Sequence, residues 1–173
     1  MRILLSAALA LSLPTGLLAA GGGNETAPSK PKCENGQVYD KKTKTCVDAK
    51  ESSLQLQDRY GAVRAYAHAG QYDAAQTVLA AMPQDDDRTL TYLGFTTRKM
   101  GDLERGMAYY RAALTRNPGN ILARSYMGQA LVEQGDVPAA LAQLRALRGA
   151  GGSGTWAEAS LRRAIATGVT YSY

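Results

Sequence analysis

With 173 residues, 45% of them hydrophobic and 20% charged, the chain is long enough for one domain of ordinary size and too short for two of enzyme size. Its 20 basic and 15 acidic side chains leave a net charge of +5, and Arg2 lies in a segment expected to be removed, so the excess is too mild for a nucleic-acid binder. One His and two Cys leave almost no nucleophiles, general bases or soft metal ligands, while 7% aromatics against 18 Gly predict a core built largely of Leu, Ala and Met, in packed helices rather than a β-sandwich.

Residues 1–20 read as a secretory signal peptide: one Arg, then an apolar run, a Pro14-Thr15-Gly16 break, and small residues from Ala19 onward. The apolar run falls short of the ~20 residues that span a bilayer, so cleavage after Ala20 and no stable membrane insertion are expected. The mature protein is then periplasmic or secreted. Residues 21–31 form a flexible linker of Gly, Asn, Thr, Pro and Ser with little to bury.

Residues 32–48 carry Cys33 and Cys46 around a turn signal at Asn35-Gly36, β-formers at Val38 and Tyr39, and a second polar turn at Asp40 to Lys44. The pattern predicts a hairpin closed by a disulfide, because two lone Cys pair readily in an exported chain. Zinc is the competing reading, but it needs about four ligands and only His68 remains elsewhere. The pattern Cys-x-x-Gly-x-x-Tyr-Asp, basic residues, Cys is similar to short disulfide hairpins on extracellular modules, some of which bind carbohydrate. The simpler reading is a stapled cap or spacer. Composition then changes: six of seven Lys lie at or before Lys50 and twelve of thirteen Arg at or after Arg59, which places a boundary near Glu51 to Leu54.

From residue 54 to 168 the breakers recur. Gly70-Gln71-Tyr72, Gly101-Asp102-Leu103 and Gly135-Asp136-Val137 repeat one punctuation at spacings of 31 and 34 residues. In the middle copy, Leu90, Leu93, Gly94 and Thr97 fall on one face of a first helix, and Leu103, Gly106, Met107, Tyr110 and Ala113 on the matching face of a second. Pro118 ends that pair. Leu90, Leu93, Gly94, Gly106, Tyr110, Ala113 and Pro118 stand at the consensus places of the tetratricopeptide family, which this stretch resembles.

The resemblance implies an all-α fold: an α-solenoid of three helix-turn-helix repeats, at about 54–86, 87–120 and 121–152. The third copy keeps Met127, Gly128, Leu131, Ala140 and Leu144 but should end softly between Gly149 and Gly154. Residues 155–167 then read as a C-terminal capping helix, with Trp156, Leu161 and Ile165 covering the last apolar face and Arg162 and Arg163 in water. Residues 169–173 are a tail too short to fold alone.

No catalytic constellation is legible. His68 stands in no recognisable constellation with a Ser, a Cys or a second acid, and Asp85-Asp86-Asp87 suits a helix N-terminus better than a calcium loop. No cofactor or metal is expected. What the resemblance implies is a protein or peptide partner held in the concave groove by the first helices, through Tyr60, Arg64 and His68, then Arg88, Phe95, Arg98 and Lys99, then Gln129. Such a surface, basic with aromatic floor, fits an extended peptide with carboxylates. The expected function is an exported, non-enzymatic scaffold with a partner in the cell envelope and no nucleic acid; the alternative is a cell-wall or carbohydrate-binding protein that uses the Cys33 to Cys46 hairpin with the repeats as support.

Overall fold

The computed structural model describes residues 31–170; the expected signal segment 1–20, residues 21–30 of the expected linker and the tail residues 171–173 lie outside the described residues. Among the described residues, a two-stranded antiparallel hairpin, β1 (Val38–Asp40) and β2 (Thr45–Val47), precedes seven α-helices. These are α1 (Leu56–His68), α2 (Tyr72–Leu79), α3 (Asp87–Lys99), α4 (Leu103–Arg116), α5 (Ile121–Glu133), α6 (Val137–Leu147) and α7 (Trp156–Thr167). Helices α1/α2, α3/α4 and α5/α6 pack as three successive pairs, and α7 packs on α5 and α6.

The three corners share one hydrogen-bond pattern. Gly70, Gly101 and Gly135 have φ of 73°, 101° and 77°, the left-handed conformation that a Cβ disfavours. Their amides donate to Ala67, Arg98 and Val132 carbonyls, while the next residues, Gln71, Asp102 and Asp136, donate to Tyr66, Thr97 and Leu131. Each is a Schellman closure that satisfies the last carbonyls of a first helix. Asp102 and Asp136 then turn their side chains onto the amides of Arg105 and Ala139, capping the second helix. Gln71 makes no such side-chain bond, so α2 starts without that aid.

Small residues set the spacing within a pair. A Cβ at Gly94 would lie 2.6 Å from the Tyr110 ring, and one at Gly106 would lie 2.9 Å from the Gly94 carbonyl oxygen. The Leu, Ala and Met expected to dominate the core share it with rings: Tyr66, Tyr92, Tyr110, Tyr126 and Phe95 are the largest fully buried side chains. Composition counted how few aromatics there are but not where they stand. Tyr60, Tyr92, Tyr126 and Trp156 form a ladder from α1 through α3 and α5 to α7, with centroids 5.6, 6.2 and 6.4 Å apart and edge-to-face angles of 81°, 78° and 75°. Edge-to-face pairs add about 0.5–1.5 kcal/mol each beyond area burial. The ladder therefore ties each first helix to the next.

The hairpin covers the outer face of the first pair. The Cys33–Cys46 disulfide closes it. Val38 is buried in the same core as Val63, Tyr66 and Val78, and the Tyr66 hydroxyl donates to the Gln37 carbonyl at 2.8 Å. Gly36, at φ 78°, leaves room for α2: a Cβ there would meet Thr77 Cβ at 2.6 Å. Arg59 holds the connection to α1 by donating to the carbonyls of Ala49, Glu51 and Leu54. At the other end, α6 runs into a π-helical turn, Arg148–Gly152, which closes on Gly151 at φ 86°. Thr155 caps α7, and Trp156, Leu161 and Ile165 pack against Leu144 and Leu147.

Candidate partner-binding groove

The first helices α1, α3 and α5 bring one set of side chains together at their N-terminal halves. Tyr60 of α1, Arg88 and Thr91 of α3, Leu122 of α5 and the Asn117 to Asn120 turn line a groove of about 310 Å³. The Arg88 guanidinium lies over the Tyr60 ring, 5.1 Å from its centroid, and reaches the Asp86 carboxylate at 3.4 Å. Stacking on the ring and pairing with Asp86 limit the arrangements open to a long side chain.

The groove wall is pre-organised by a polar network. Asp87 accepts from the side-chain amides of Asn117 at 2.7 Å and Asn120 at 2.8 Å, and Asn120 also donates to the Thr91 hydroxyl at 3.0 Å. Asn120 caps α5 through the amide of Ala123. Asp86 caps α3 by accepting from the amides of Arg88 and Thr89. Burial works against the Asp86 charge, but the Thr89 amide and the adjacent Arg88 outweigh it and hold the carboxyl below its ordinary range.

The residues expected in the groove divide into two sets. Arg64, one turn beyond Tyr60, and Arg88 are partly exposed, His68 is exposed, and Lys99 is half-buried at the far end of α3. Burial, with Arg98 beside it, lowers the Lys99 pKa, against the pull of Glu133. Tyr60 is nearly covered, with Arg88 over its ring. Phe95, Arg98 and Gln129 are buried and offer no surface to a partner. Phe95 is enclosed by Tyr72, Tyr92 and Tyr126. Gln129 donates to Ser125 and to Ser160 of α7. Arg98 pairs with Glu133 at 3.2 Å, its side chain only 1% exposed.

The physical reason for the division is crowding. Aromatic rings fill the space between α3 and α5, where Tyr92 and Tyr126 lie against Phe95, and α7 seats closely on α5, where Ser160 accepts from Gln129. Asp87, Asn117 and Asn120 went unrecognised as groove residues; the signal for them was the Asn117-Pro118-Gly119-Asn120 turn, which places two short amides beside the N-terminus of α3.

Residues 98–162, from the end of α3 into α7, match the profile of a protein family described as tetratricopeptide repeat. That segment, less than half of the chain, is similar to tetratricopeptide repeats. No curated protein and no solved structure matches it. The α3/α4 and α5/α6 pairs share their Schellman corner with α1/α2, and the matched span takes in α4, α5 and α6 but begins at the end of α3. Among the described residues no helix is long and apolar enough to cross a membrane.

Proposed function

We propose that this tetratricopeptide protein is an exported, non-enzymatic scaffold that holds an extended, carboxylate-bearing segment of a protein partner in the cell envelope. Repeats of this family serve as protein-interaction scaffolds, and the observation that carries the finer reading is Arg88 held on the Tyr60 ring at the edge of a pre-formed groove. Arg88 presents a planar donor with little freedom left to lose, next to the asparagines of the Asn117 to Asn120 turn. Arg64 and Lys99 extend positive charge along the same run of first helices, so an acidic peptide crossing them meets donors at more than one point. Export rests on the signal-like residues 1–20 and agrees with a disulfide, which persists in oxidising compartments.

The carbohydrate reading of the hairpin has less support. The hairpin's inner face is spent on α1 and α2, and the Lys32 ammonium lies over the Tyr39 ring, 4.8 Å from its centroid, where a sugar face would stack.

Fluorescence anisotropy with an unstructured Glu/Ser/Gly peptide, and with its Gln counterpart, tests the groove. The acidic peptide should bind, and the triple variant R64E/R88E/K99E should lose at least about tenfold in affinity, equivalent to ~1.4 kcal/mol, with its helical circular dichroism retained. Equal binding of the Gln peptide, or an unaffected triple variant, defeats the reading. Mass spectrometry of the chain recovered from a bacterial host tests export: loss of a segment ending near Ala20 is expected, and a retained Met1 in the cytosolic fraction refutes it.

A further inference from the structure

A separate surface lies at the C-terminal end, where α6 and α7 run side by side. The groove between them has Leu144 and Ile165 along its floor, and the exposed Ala159 and Ala166 with Arg148, Arg162 and Arg163 along its rim. Ala159, Arg162, Arg163 and Ala166 are spaced i, i+3, i+4 and i+7, so they share the outward face of α7. Three of the four large hydrophobic side chains exposed among the described residues belong to this end: Val137 and Leu141 at 39% each and Val169 at 56%. From Val137 to Thr167 the chain has four arginines and one carboxylate, Glu158, and that carboxylate is taken by Arg148 at 2.7 Å.

We propose that this groove receives an amphipathic helix from a partner protein, with acidic residues flanking its apolar stripe. The docked helix stands where the second helix of a fourth pair would stand. Small Ala159 and Ala166 let a helix backbone approach α7, while the partly exposed Ile165 and, one turn before Leu144 on α6, the exposed Leu141 supply the apolar contact. The arginine rim decides the sign of the occupant. A second copy docked groove to groove would set Arg148, Arg162 and Arg163 against themselves, a like-charge arrangement that costs affinity. A second copy docked head to tail would meet the lysine-rich hairpin, which already covers the first helix pair. A foreign helix bearing Glu or Asp beside its leucines satisfies both the floor and the rim.

The test uses two labelled helical peptides of about 12 residues, the length of α7, one with Leu flanked by Glu and the other with Lys in place of every Glu. The disulfide-intact protein should bind the Glu peptide at least about tenfold more tightly than the Lys peptide. R162E/R163E should reverse that order, and Ala159→Trp, on an exposed face, should abolish binding of both. R64E/R88E/K99E should leave binding intact, which separates this surface from the concave groove. The proposal is overturned if neither peptide binds, if both bind equally, or if R64E/R88E/K99E rather than R162E/R163E removes binding. It is also overturned if light scattering shows a dimer that Ala159→Trp dissociates, since the occupant would then be a second copy, or if R162E/R163E acts only on recruitment to phosphatidylglycerol vesicles.

Discussion

Leu161 of α7 sits in the notch over Gly128 of α5, so close that a Cβ at Gly128 would lie 2.6 Å from its Cδ1 atom. Two more contacts hold the same seat: the Ser125 hydroxyl donates to the Ala157 carbonyl at 2.8 Å, and Gln129 donates to Ser160 at 3.2 Å. The capping helix is thus keyed into α5 rather than laid on its surface. Gly128→Val should force α7 away while the α1 to α4 pairs persist. Amide exchange should rise by at least about tenfold in α7, with little change in α3 and α4. Uniform acceleration across all helices would show that α7 is part of one cooperative unit instead.

Two glycines inside helices should respond oppositely to the same substitution. Gly106→Ala brings a Cβ within 2.9 Å of the Gly94 carbonyl, a backbone atom that cannot rotate away. Overpacking of that kind costs about 1–3 kcal/mol, more than the ~1 kcal/mol that Ala gains over Gly in helix propensity. Gly61→Ala in α1 meets nothing within 4 Å and should gain about 0.5–1 kcal/mol. Urea denaturation of both variants checks the sign of each change.

The hairpin depends on its crosslink. Three-residue strands bury too little to hold a hairpin alone, and Cys33 to Cys46 closes a loop for which the chain-entropy relation gives about 3 kcal/mol. Cys33→Ser/Cys46→Ser should lower the melting temperature and open the cover over Val38, Val63 and Val78. Increased dye binding to exposed apolar surface, with helical circular dichroism largely retained, is the expected result.

The helix pairs and their corners were legible because Gly-Asp punctuation and the small-residue positions act locally, through φ and through contact within one pair. The buried groove positions were not. Phe95, Arg98 and Gln129 are placed by neighbours far along the chain, Tyr126, Glu133 and Ser160, and helical periodicity in one segment carries no information about how tightly the next helix is drawn in. The tyrosines make the same point: Tyr60, Tyr92 and Tyr126 recur near the repeat spacing, yet only their packing shows a ladder ending on Trp156. Thr155 caps α7 by accepting from the Glu158 amide, and the Glu158 carboxylate accepts from the Gly154 amide.

Acid should weaken the C-terminal end first. Glu158 accepts from the Gly154 amide at 2.8 Å and from Arg148 at 2.7 Å, and these contacts hold its carboxyl below the ordinary value of 4.5 despite its burial. Because the folded state releases this proton more readily than the unfolded state, its contribution is complete above about pH 4.5 and is lost as the pH falls through the lower folded value. Melting temperature should therefore hold from neutral pH to about 4.5 and drop below it. Glu158→Gln should melt lower at pH 7 and show a shallower acid slope; an unchanged slope would mean that Asp40 and Asp86, also held low, account for it.

Arg98 and Glu133 give the sharpest contrast, because the two partners are unequally buried. The Arg98 side chain is 1% exposed, stacked on Phe95 with its cation 5.8 Å from the ring centroid, and the Tyr110 hydroxyl lies beside it; Glu133 is 31% exposed and also accepts from Thr170. Removing the carboxylate charge with Glu133→Gln leaves the guanidinium charge enclosed without its counter-charge. Breaking such a pair from that side should cost about 2–3 kcal/mol, less than a fully buried pair because water reaches the glutamate. Removing the cation with Arg98→Met keeps a long stem against Phe95 and leaves Glu133 with access to water, so that change should be within about 1 kcal/mol of neutral. If the two singles cost the same in urea denaturation, the pair holds α3 to α5 by charge rather than by the packing of the arginine stem.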